Sequence, residues 1–456
     1  MKYQAIARDL KQKIDQGLFR PGERLPSVRS LSGRLDVSVS TVVAAYQLLE
    51  QERHIEARAK SGFYVGPKSL IRPTLPPKVK SLRPARLSIS DHIADIFANT
   101  RNDQYTHFDL ALPQRECQPQ TALKTSSNRV LRQQFPQTLL MSTSPGIPEL
   151  RRLLAQRLLS GGCLVSPEQI VITNGCQEAL MLSLQAVCSP GDLVAVESPC
   201  YYGFLLAIES LGLKVVNIAT DPQHGLDLNA LEDAAKQWPI KACICTANFN
   251  NPTGGLMNDE SKRELLNLAE RNNFVVIEDD ILGELHHEGS RPSSLKAFDH
   301  QERVIYCSSL SKSLSPGLRL GWVVAGAYQS QIIERQLANS SGTASFPQLL
   351  AAEYLKSGHF DKHLARVRPL YQNNLERALN VIQNSFPEGT RATQPAGGFL
   401  IWVALPKKIN ALDLFELARA HNICFLPGVV FGRQHFKRCL RLSFVSGAGV
   451  CCNRAV

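Results

Sequence analysis

Ser309-Leu310-Ser311-Lys312, continuing as Ser313-Leu314-Ser315-Pro316-Gly317-Leu318-Arg319, places one amine among hydroxyls and a glycine, with a guanidinium seven residues on. A lysine forms an imine readily only where its surroundings favour the neutral amine, and fixed hydroxyls beside a planar guanidinium suit a phosphate. Alone, the run is weak and reads first as a solvated loop, so its meaning depends on what precedes it. A β-rich stretch, Ala242 to Thr246, leads into Asn250-Asn251-Pro252-Thr253-Gly254, and Phe274-Val275-Val276-Ile277 leads into Glu278-Asp279-Asp280. Ligands of open α/β sheets collect beyond the carboxyl ends of the strands, so ends carrying Asn251, Asp279 and Lys312 predict one pocket. An acid there keeps a pyridine-type nitrogen protonated, and an amide donates to a phenolate oxygen. A metal site or a solvated strand end is the competing reading of the three consecutive acids.

Further upstream, Ile170-Val171-Ile172-Thr173 runs into Asn174-Gly175-Cys176-Gln177 and then the helical pattern Glu178 to Leu184. A strand, a glycine turn and a helix start can form a phosphate cradle of exposed amides, strengthened by the helix dipole; taken without the other clusters, an ordinary βα turn is the favoured reading. After Val194 to Pro199, Tyr201 stands where an aromatic ring stacks on a flat heterocycle, with Tyr202 as the competing candidate. In order and approximate spacing these runs resemble the fold-type I pyridoxal phosphate aminotransferases, over roughly residues 105 to 445. The resemblance implies that Lys312 carries pyridoxal 5'-phosphate as an internal aldimine, that Asp279 partners the pyridine nitrogen, that Asn251 partners the phenolate and that Tyr201 stacks on the ring. It also implies that Gly175, Cys176, Gln177, Ser309 and Arg319 hold the phosphate. Arg441, in Leu440-Arg441-Leu442, matches the family's carboxylate-binding arginine, although a surface ion pair is its plain alternative.

Three departures from that pattern matter. Related proteins commonly place a tyrosine two or three residues after the matched aspartate, where this chain has Ile281 and Leu282. Met141 precedes the Ser142 to Gly146 turn, where the family often has a tyrosine reaching the neighbouring subunit's phosphate. Both losses argue against efficient turnover. The chain stops at Val456 after a glycine- and cysteine-bearing tail, Ser446 to Cys452, where the family normally adds a final amphipathic helix, so an incompletely packed small domain is expected.

The N-terminus has another character. Ile6, Leu10 and Ile14 repeat at helical spacing; after Pro21-Gly22, Ser27 caps a helix bearing Val28, Leu31 and Leu35. Ser38 caps the next, whose buried stripe is Val42, Tyr46 and Leu49 and whose leading end presents Val39, Ser40 and Thr41. Ile55 to Val65 reads as two short strands around a basic tip with Lys60 and Gly62, a wing. This resembles helix-turn-helix geometry, in which the second helix offers its N-terminal residues to the major groove, and Leu25-Pro26-Ser27-Val28-Arg29 resembles the GntR-type winged helix. The resemblance implies double-stranded DNA as partner and Ser27, Arg29, Ser38, Ser40, Thr41, Lys60 and Gly62 as contacts.

Charge agrees. Residues 1 to 90 hold 17 Lys and Arg against 7 Asp and Glu, while the remainder is almost balanced at 34 against 33. A basic head on a neutral body suits phosphate contact, because duplex affinity comes largely from cations displacing counterions. Part of the excess lies in a stiff linker, Pro67 to Arg86, where prolines alternate with Lys68, Arg72, Lys78, Lys80, Arg83 and Arg86. The 12 cysteines show neither zinc spacing nor a disulfide framework. Neither a charged-then-apolar leader nor a bilayer-length apolar run is present, so a cytoplasmic location without membrane contact is expected, and no metal.

The two halves together resemble the MocR group of GntR-family bacterial regulators. The expected fold class is α/β: a winged helix-turn-helix at 1–66, a linker at 67–90, and a fold-type I effector domain at 91–456. Within the last, a large α/β part with a mixed, mostly parallel sheet spans about 140–335 and a small α+β part about 336–456. The resemblance implies a homodimer that senses a small amino-group effector through aldimine chemistry at Lys312. A working aminotransferase with a DNA tether and a cofactor-free dimerisation scaffold remain the alternatives.

Overall fold

The computed structural model describes residues 2–15, 18–19, 22–51, 54–58, 61–65 and 104–445. Lys60, the 67–90 linker and the tail from Ser446 lie outside the described residues. The chain divides into two compact units, one N-terminal and one built around an eight-stranded sheet.

In the N-terminal unit α1 (Lys2–Asp15), α2 (Val28–Leu35) and α3 (Val39–Gln51) precede an antiparallel hairpin of β1 (Ile55–Arg58) and β2 (Gly62–Val65). Ala7, Leu10, Ile14, Leu31, Val42, Tyr46, Leu49, Ile55 and Val65 close one core, so the helical repeats seen in sequence do face inward. Leu35 is an exception: it stays 42% exposed because Asp36 ends α2 in the left-handed region. Both serine caps form. Ser27 Oγ accepts from Ser30 N at 3.2 Å and Ser38 Oγ from Thr41 N at 3.2 Å, each taking one of the orphan amides at a helix start. In the hairpin Arg58 pairs with Gly62, which sets the wing's tip between them.

The larger unit is built on β4 (Ile170–Thr173), β5 (Leu193–Ser198), β6 (Lys214–Asp221), β7 (Gly225–Leu226), β8 (Ile240–Cys245), β9 (Val275–Asp279), β10 (Val304–Ser309) and β11 (Gly321–Val324), in spatial order β4-β11-β10-β9-β8-β5-β6-β7. The pairs from β10 through β9, β8 and β5 to β6 are parallel, and the outer pairs are antiparallel, so the sheet is mixed and mostly parallel. The parallel core strands are apolar almost throughout because helices cover both faces. One apolar cluster gathers Leu180, Leu184, Phe204 and Ile208 on one face; another gathers Leu231, Leu265, Leu268 and Phe274 on the other. A smaller antiparallel sheet follows, from β12 (Arg391–Ala392), β13 (Leu400–Ala404), β15 (Leu426–Pro427) and β16 (Cys439–Ser443), in the order β12-β13-β16-β15. Beside it β3 (Thr106–His107) pairs in parallel with β14 (Ile423–Cys424), and Ser443 N donates to Phe108 O at 2.8 Å. The first described stretch after the linker is therefore stitched to the C-terminal small sheet. No helix among the described residues is long and apolar enough to cross a membrane.

Tyr46 pins the N-terminal core: it is fully buried, packs edge-on against Phe63 at 4.8 Å between centroids, and its hydroxyl donates to Pro26 O at 2.7 Å. Tyr46→Phe should cost about 1 kcal/mol, the net worth of one hydrogen bond, whereas Tyr46→Ala should cost about 3–5 kcal/mol through reduced burial and a cavity. Limited proteolysis checks this: cleavage within residues 1–65 accelerates strongly in the alanine variant, while the thermal transition of the larger unit stays in place.

Candidate cofactor pocket and nucleic-acid interface

Three parallel strands end close together and deliver their next residues into a cavity of about 130 Å³. Eight of the nine residues expected around the cofactor line it: Cys176, Gln177, Tyr201, Asn251, Asp279, Ser309, Lys312 and Arg319. Gly175 is the ninth. It caps the helix Cys176–Val187 with φ +85°, and a Cβ at this position would stand 2.7 Å from the Arg319 guanidinium. The bare turn thus lets the arginine close over the amides at the helix start, where Arg319 Nη2 donates to Asn174 O at 3.1 Å. Backbone amides, a helix dipole and a guanidinium thus meet at this turn, the elements from which an anion site can be made.

Burial, with help from the positive charge of Arg441, lowers the Lys312 amine from its usual value to about 8, against the opposing pull of Asp279. Its Nζ donates to Ala111 O at 2.6 Å. Burial likewise pushes Asp279 up to about 6, even though Cys176 Sγ (3.4 Å) and Ile281 N (3.2 Å) donate to its Oδ1. The three consecutive acids part company because side chains alternate along a strand. Glu278 turns into the core and accepts from Leu295 N and Lys296 N; Asp280 accepts from Arg291, Tyr306 Oη and Asn248 Nδ2. Only Asp279 lines the cavity, and the described residues contain no cluster that could hold a metal ion.

Arg441 is not on the cavity wall. It is 1% exposed and lies behind Asn251, donating from Nη1 to Asn251 Oδ1 at 3.1 Å and from Nη2 to Asp109 O, while Nε has no partner among the described residues. Burial lowers its pKa to about 10, so it stays cationic at neutral pH. Its two partners are an amide and a carbonyl, which a carboxylate-bearing ligand would outcompete. Tyr201 faces the cavity and packs edge-on against Phe204, whereas Tyr202 turns toward Phe431. Of the two tyrosines, Tyr201 is thus the one on the cavity lining. Gly203 makes room, because a Cβ there would stand 2.2 Å from the Tyr201 ring.

Leu282 is buried and lines the cavity, and Met141 is 69% exposed, so neither supplies a polar contact within this chain. Sequence reasoning missed two groups. Glu197, fully buried at the end of β5, accepts from Thr246 N at 2.9 Å and Asn250 Nδ2 at 2.7 Å, and so fixes the loop that presents Asn251. Burial raises its carboxyl to about 8 despite these bonds. Its signal was a lone acid in an apolar strand. Ala111 and Leu112 also line the cavity, and nothing in their sequence context marked them.

At the N-terminal unit, Ser38, Ser40 and Thr41 are tied together at the leading end of α3, with Ser38 Oγ 2.9 Å from Ser40 Oγ and 2.7 Å from Thr41 Oγ1. Val39 and Ser40 are exposed, as are Arg29 in the first turn of α2 and Ser27. The helix stripe is buried behind them, leaving this edge available to a groove.

Reductive methylation with formaldehyde and borohydride reads the Lys312 amine directly. By mass spectrometry its modification should rise with pH through a midpoint near 8. Arg441→Gln should move that midpoint up, by removing a repelling cation, and Asp279→Asn should move it down.

Residues 109–450 match the family model for aminotransferase class I and II, and residues 2–65 match that for bacterial regulatory proteins of the gntR family. The uncharacterized HTH-type transcriptional regulator YjiR of Escherichia coli is 38% identical over 97% of this chain and 94% of its own length. YdcR of the same organism, another uncharacterized HTH-type transcriptional regulator, is 37% identical over 94% and 92%. Among solved structures, the α-aminoadipate aminotransferase LysN of Thermus thermophilus, complexed with N-(5'-phosphopyridoxyl)-L-leucine, superposes with a TM-score of 0.72 at 30% identity, covering 78% of this chain and 90% of that one. The kynurenine aminotransferase of Pyrococcus horikoshii, in complex with PMP, gives 0.73 at 29%, with the same coverage. A gntR-family winged helix followed by an aminotransferase class I and II domain, matched end to end by HTH-type regulators, places the chain in the MocR-type group of transcriptional regulators.

Proposed function

We propose that this regulator holds pyridoxal 5'-phosphate at Lys312 and reports a small amine bearing a carboxylate to the DNA-binding head. The observation that carries this reading is a lysine amine held near pKa 8 in a cavity whose walls also supply Asp279 and the Gly175–Arg319 anion cradle. The donor set fits the cofactor. A cradle for a phosphate, an acid for a ring nitrogen, an amide for a phenolate oxygen and a ring to stack on all border one space.

When bound, pyridoxal phosphate supplies an aldehyde that condenses with primary amines and a ring that withdraws electrons. Lys312 would anchor it and, being neutral over much of its population near pH 8, exchange with an incoming amine. Asp279 would hold the proton on the ring nitrogen, and Asn251, fixed through the Glu197–Asn250 contact, would donate its amide to the phenolate side. Gly175, Cys176, Gln177, Ser309 and Arg319 would hold the phosphate, and Tyr201 would cover a ring face. Arg441 would take the carboxylate of the ligand. Leu282 weighs against efficient amino-group turnover, because a buried leucine gives the phenolate side no phenol.

Lys312 donates to Ala111 O and Arg441 to Asp109 O, and both carbonyls belong to the stretch that follows the linker from the head. Cofactor and ligand would compete for these two cations, so occupancy of the pocket acts on the same peptide that tethers the DNA-binding unit. A homodimer fits the exposed apolar run Phe135, Leu139, Leu140 and Met141. Two heads on a symmetric dimer read spaced half-sites, so a small change in their separation alters affinity for one operator. A cytoplasmic location goes with a DNA target.

Fluorescence anisotropy on the protein's own upstream DNA, with cofactor-loaded protein and millimolar amino acids, tests the reading. Arg29→Ala should weaken DNA binding roughly tenfold or more and leave the cofactor's absorption intact. Lys312→Ala should lose the borohydride-stable pyridoxyl adduct and all response to amino acids while still binding DNA. Loss of both properties in both variants would point to unfolding, and an adduct-bearing protein deaf to every amine would sink the sensing role.

A further inference from the structure

The effector body is nearly neutral in sum, yet one of its surfaces is not. Lys407, Lys408, His435, Lys437 and Arg438 line an open cleft of about 360 Å³ together with Ile409 and Asn410, and no carboxylate lines it. All five basic side chains are exposed, and among the described residues no ion pair engages Lys407, Lys408, Lys437 or Arg438.

The cleft is built. Two loops, one between β13 and the helix Ala411–Ala420 and the other leading into β16, are laced together by Leu405 N to Arg438 O at 2.8 Å and Ala411 N to Lys437 O at 2.7 Å. Arg438 Nη1 adds a long contact to Leu405 O at 3.5 Å. The cations therefore sit on backbone fixed by main-chain bonds. The helix between them starts at the cleft: Asn410 caps it by accepting from Leu412 N at 3.1 Å, and its positive end adds to the field. Asp413, in the first turn of that helix, is the acid nearest in sequence. Four cations concentrated on two short loops, in a body whose charges sum to nearly zero, repel one another. Such an arrangement is stabilised when a polyanion fills it.

We propose that this cleft of the small domain binds the phosphate backbone of duplex DNA, as a second, sequence-independent contact beside the winged helix. A chain that already binds DNA meets this polyanion at high local concentration, since the tethered head holds the duplex near the body. Each cation displaces a condensed counterion, so the contact adds affinity and salt dependence without changing which bases are read. It requires only that the chain bind DNA, and not that the pocket sense a ligand.

The test uses the full chain, loaded with cofactor, on a duplex extending several turns to either side of the operator. The variant Lys407→Gln/Lys408→Gln/Lys437→Gln/Arg438→Gln is compared with wild type and with a control neutralised elsewhere on the body, Lys124→Gln/Lys241→Gln/Arg335→Gln/Lys362→Gln. The slope of log affinity against log salt should shrink by roughly 2 or more in the cleft variant, at about 0.9 for each phosphate no longer neutralised, and stay near wild type in the control. Affinity should fall by about the same factor on operator and on scrambled duplex, with cofactor absorption and thermal transition unchanged. An unchanged slope overturns the proposal, even if inorganic phosphate binds the cleft, and so does an equal reduction in the control. The Arg29→Ala variant, measured alongside, tests DNA binding by the head itself, so failure of the cleft and failure of the head give different results.

Discussion

Lys312 and Arg319 line the cavity where the parallel strands end, Arg441 lies behind its Asn251 wall, and Asp279 is the carboxylate that lines it; most of the chemistry follows from that imbalance. Lys312 and Arg441 are both withdrawn from water, burial loosens the hold of each on its proton, and the charge of Arg441 loosens that of Lys312 further. Only Asp279 compensates from within the cavity. Such an arrangement costs stability, because desolvated like charges are unfavourable, unless anions arrive to complete it. In the proposed function those anions would be the cofactor's phosphate at Arg319 and a ligand carboxylate at Arg441.

The surrounding acids serve the pocket without entering it. Glu197, Glu278 and Asp280 are buried at the ends of β5 and β9, and each is satisfied by amides of neighbouring segments or, for Asp280, by the Arg291 guanidinium and the Tyr306 hydroxyl of β10. These bonds hold the loops that carry Asn251 and the first residues after β9. The precision of the site comes from carboxylates facing away from it, and the main-chain carbonyls of Asp109 and Ala111 occupy its cations from the linker side.

Electrostatics divides differently in three dimensions from the way it divides along the chain. Summed by segment, the positive excess belongs to the first ninety residues, and the effector body is nearly neutral. Folding then brings residues 407–410 and 435–438 side by side and concentrates cations that a segment average dilutes. A neutral total therefore does not mean a neutral surface.

Much of the fold and of the pocket was legible in the sequence. Apolar runs ending in Asn, Asp or Lys marked strand ends, and the α/β pattern requires such ends to meet at one edge of the sheet, so Asn251, Asp279, Lys312 and the Gly175 turn could be gathered without coordinates. The period of the first three helices and their serine caps likewise fixed the winged-helix core, because burial at 3.6-residue spacing is a local property. Tertiary structure alone decided which of Glu278, Asp279 and Asp280 faces the cavity and that Tyr201 rather than Tyr202 lines it. It also placed Glu197 beneath the Asn251 loop, the Ala111 and Asp109 carbonyls against Lys312 and Arg441, and four exposed cations around one cleft. These depend on contacts between residues up to 332 positions apart, and no local pattern encodes what a side chain meets across that distance.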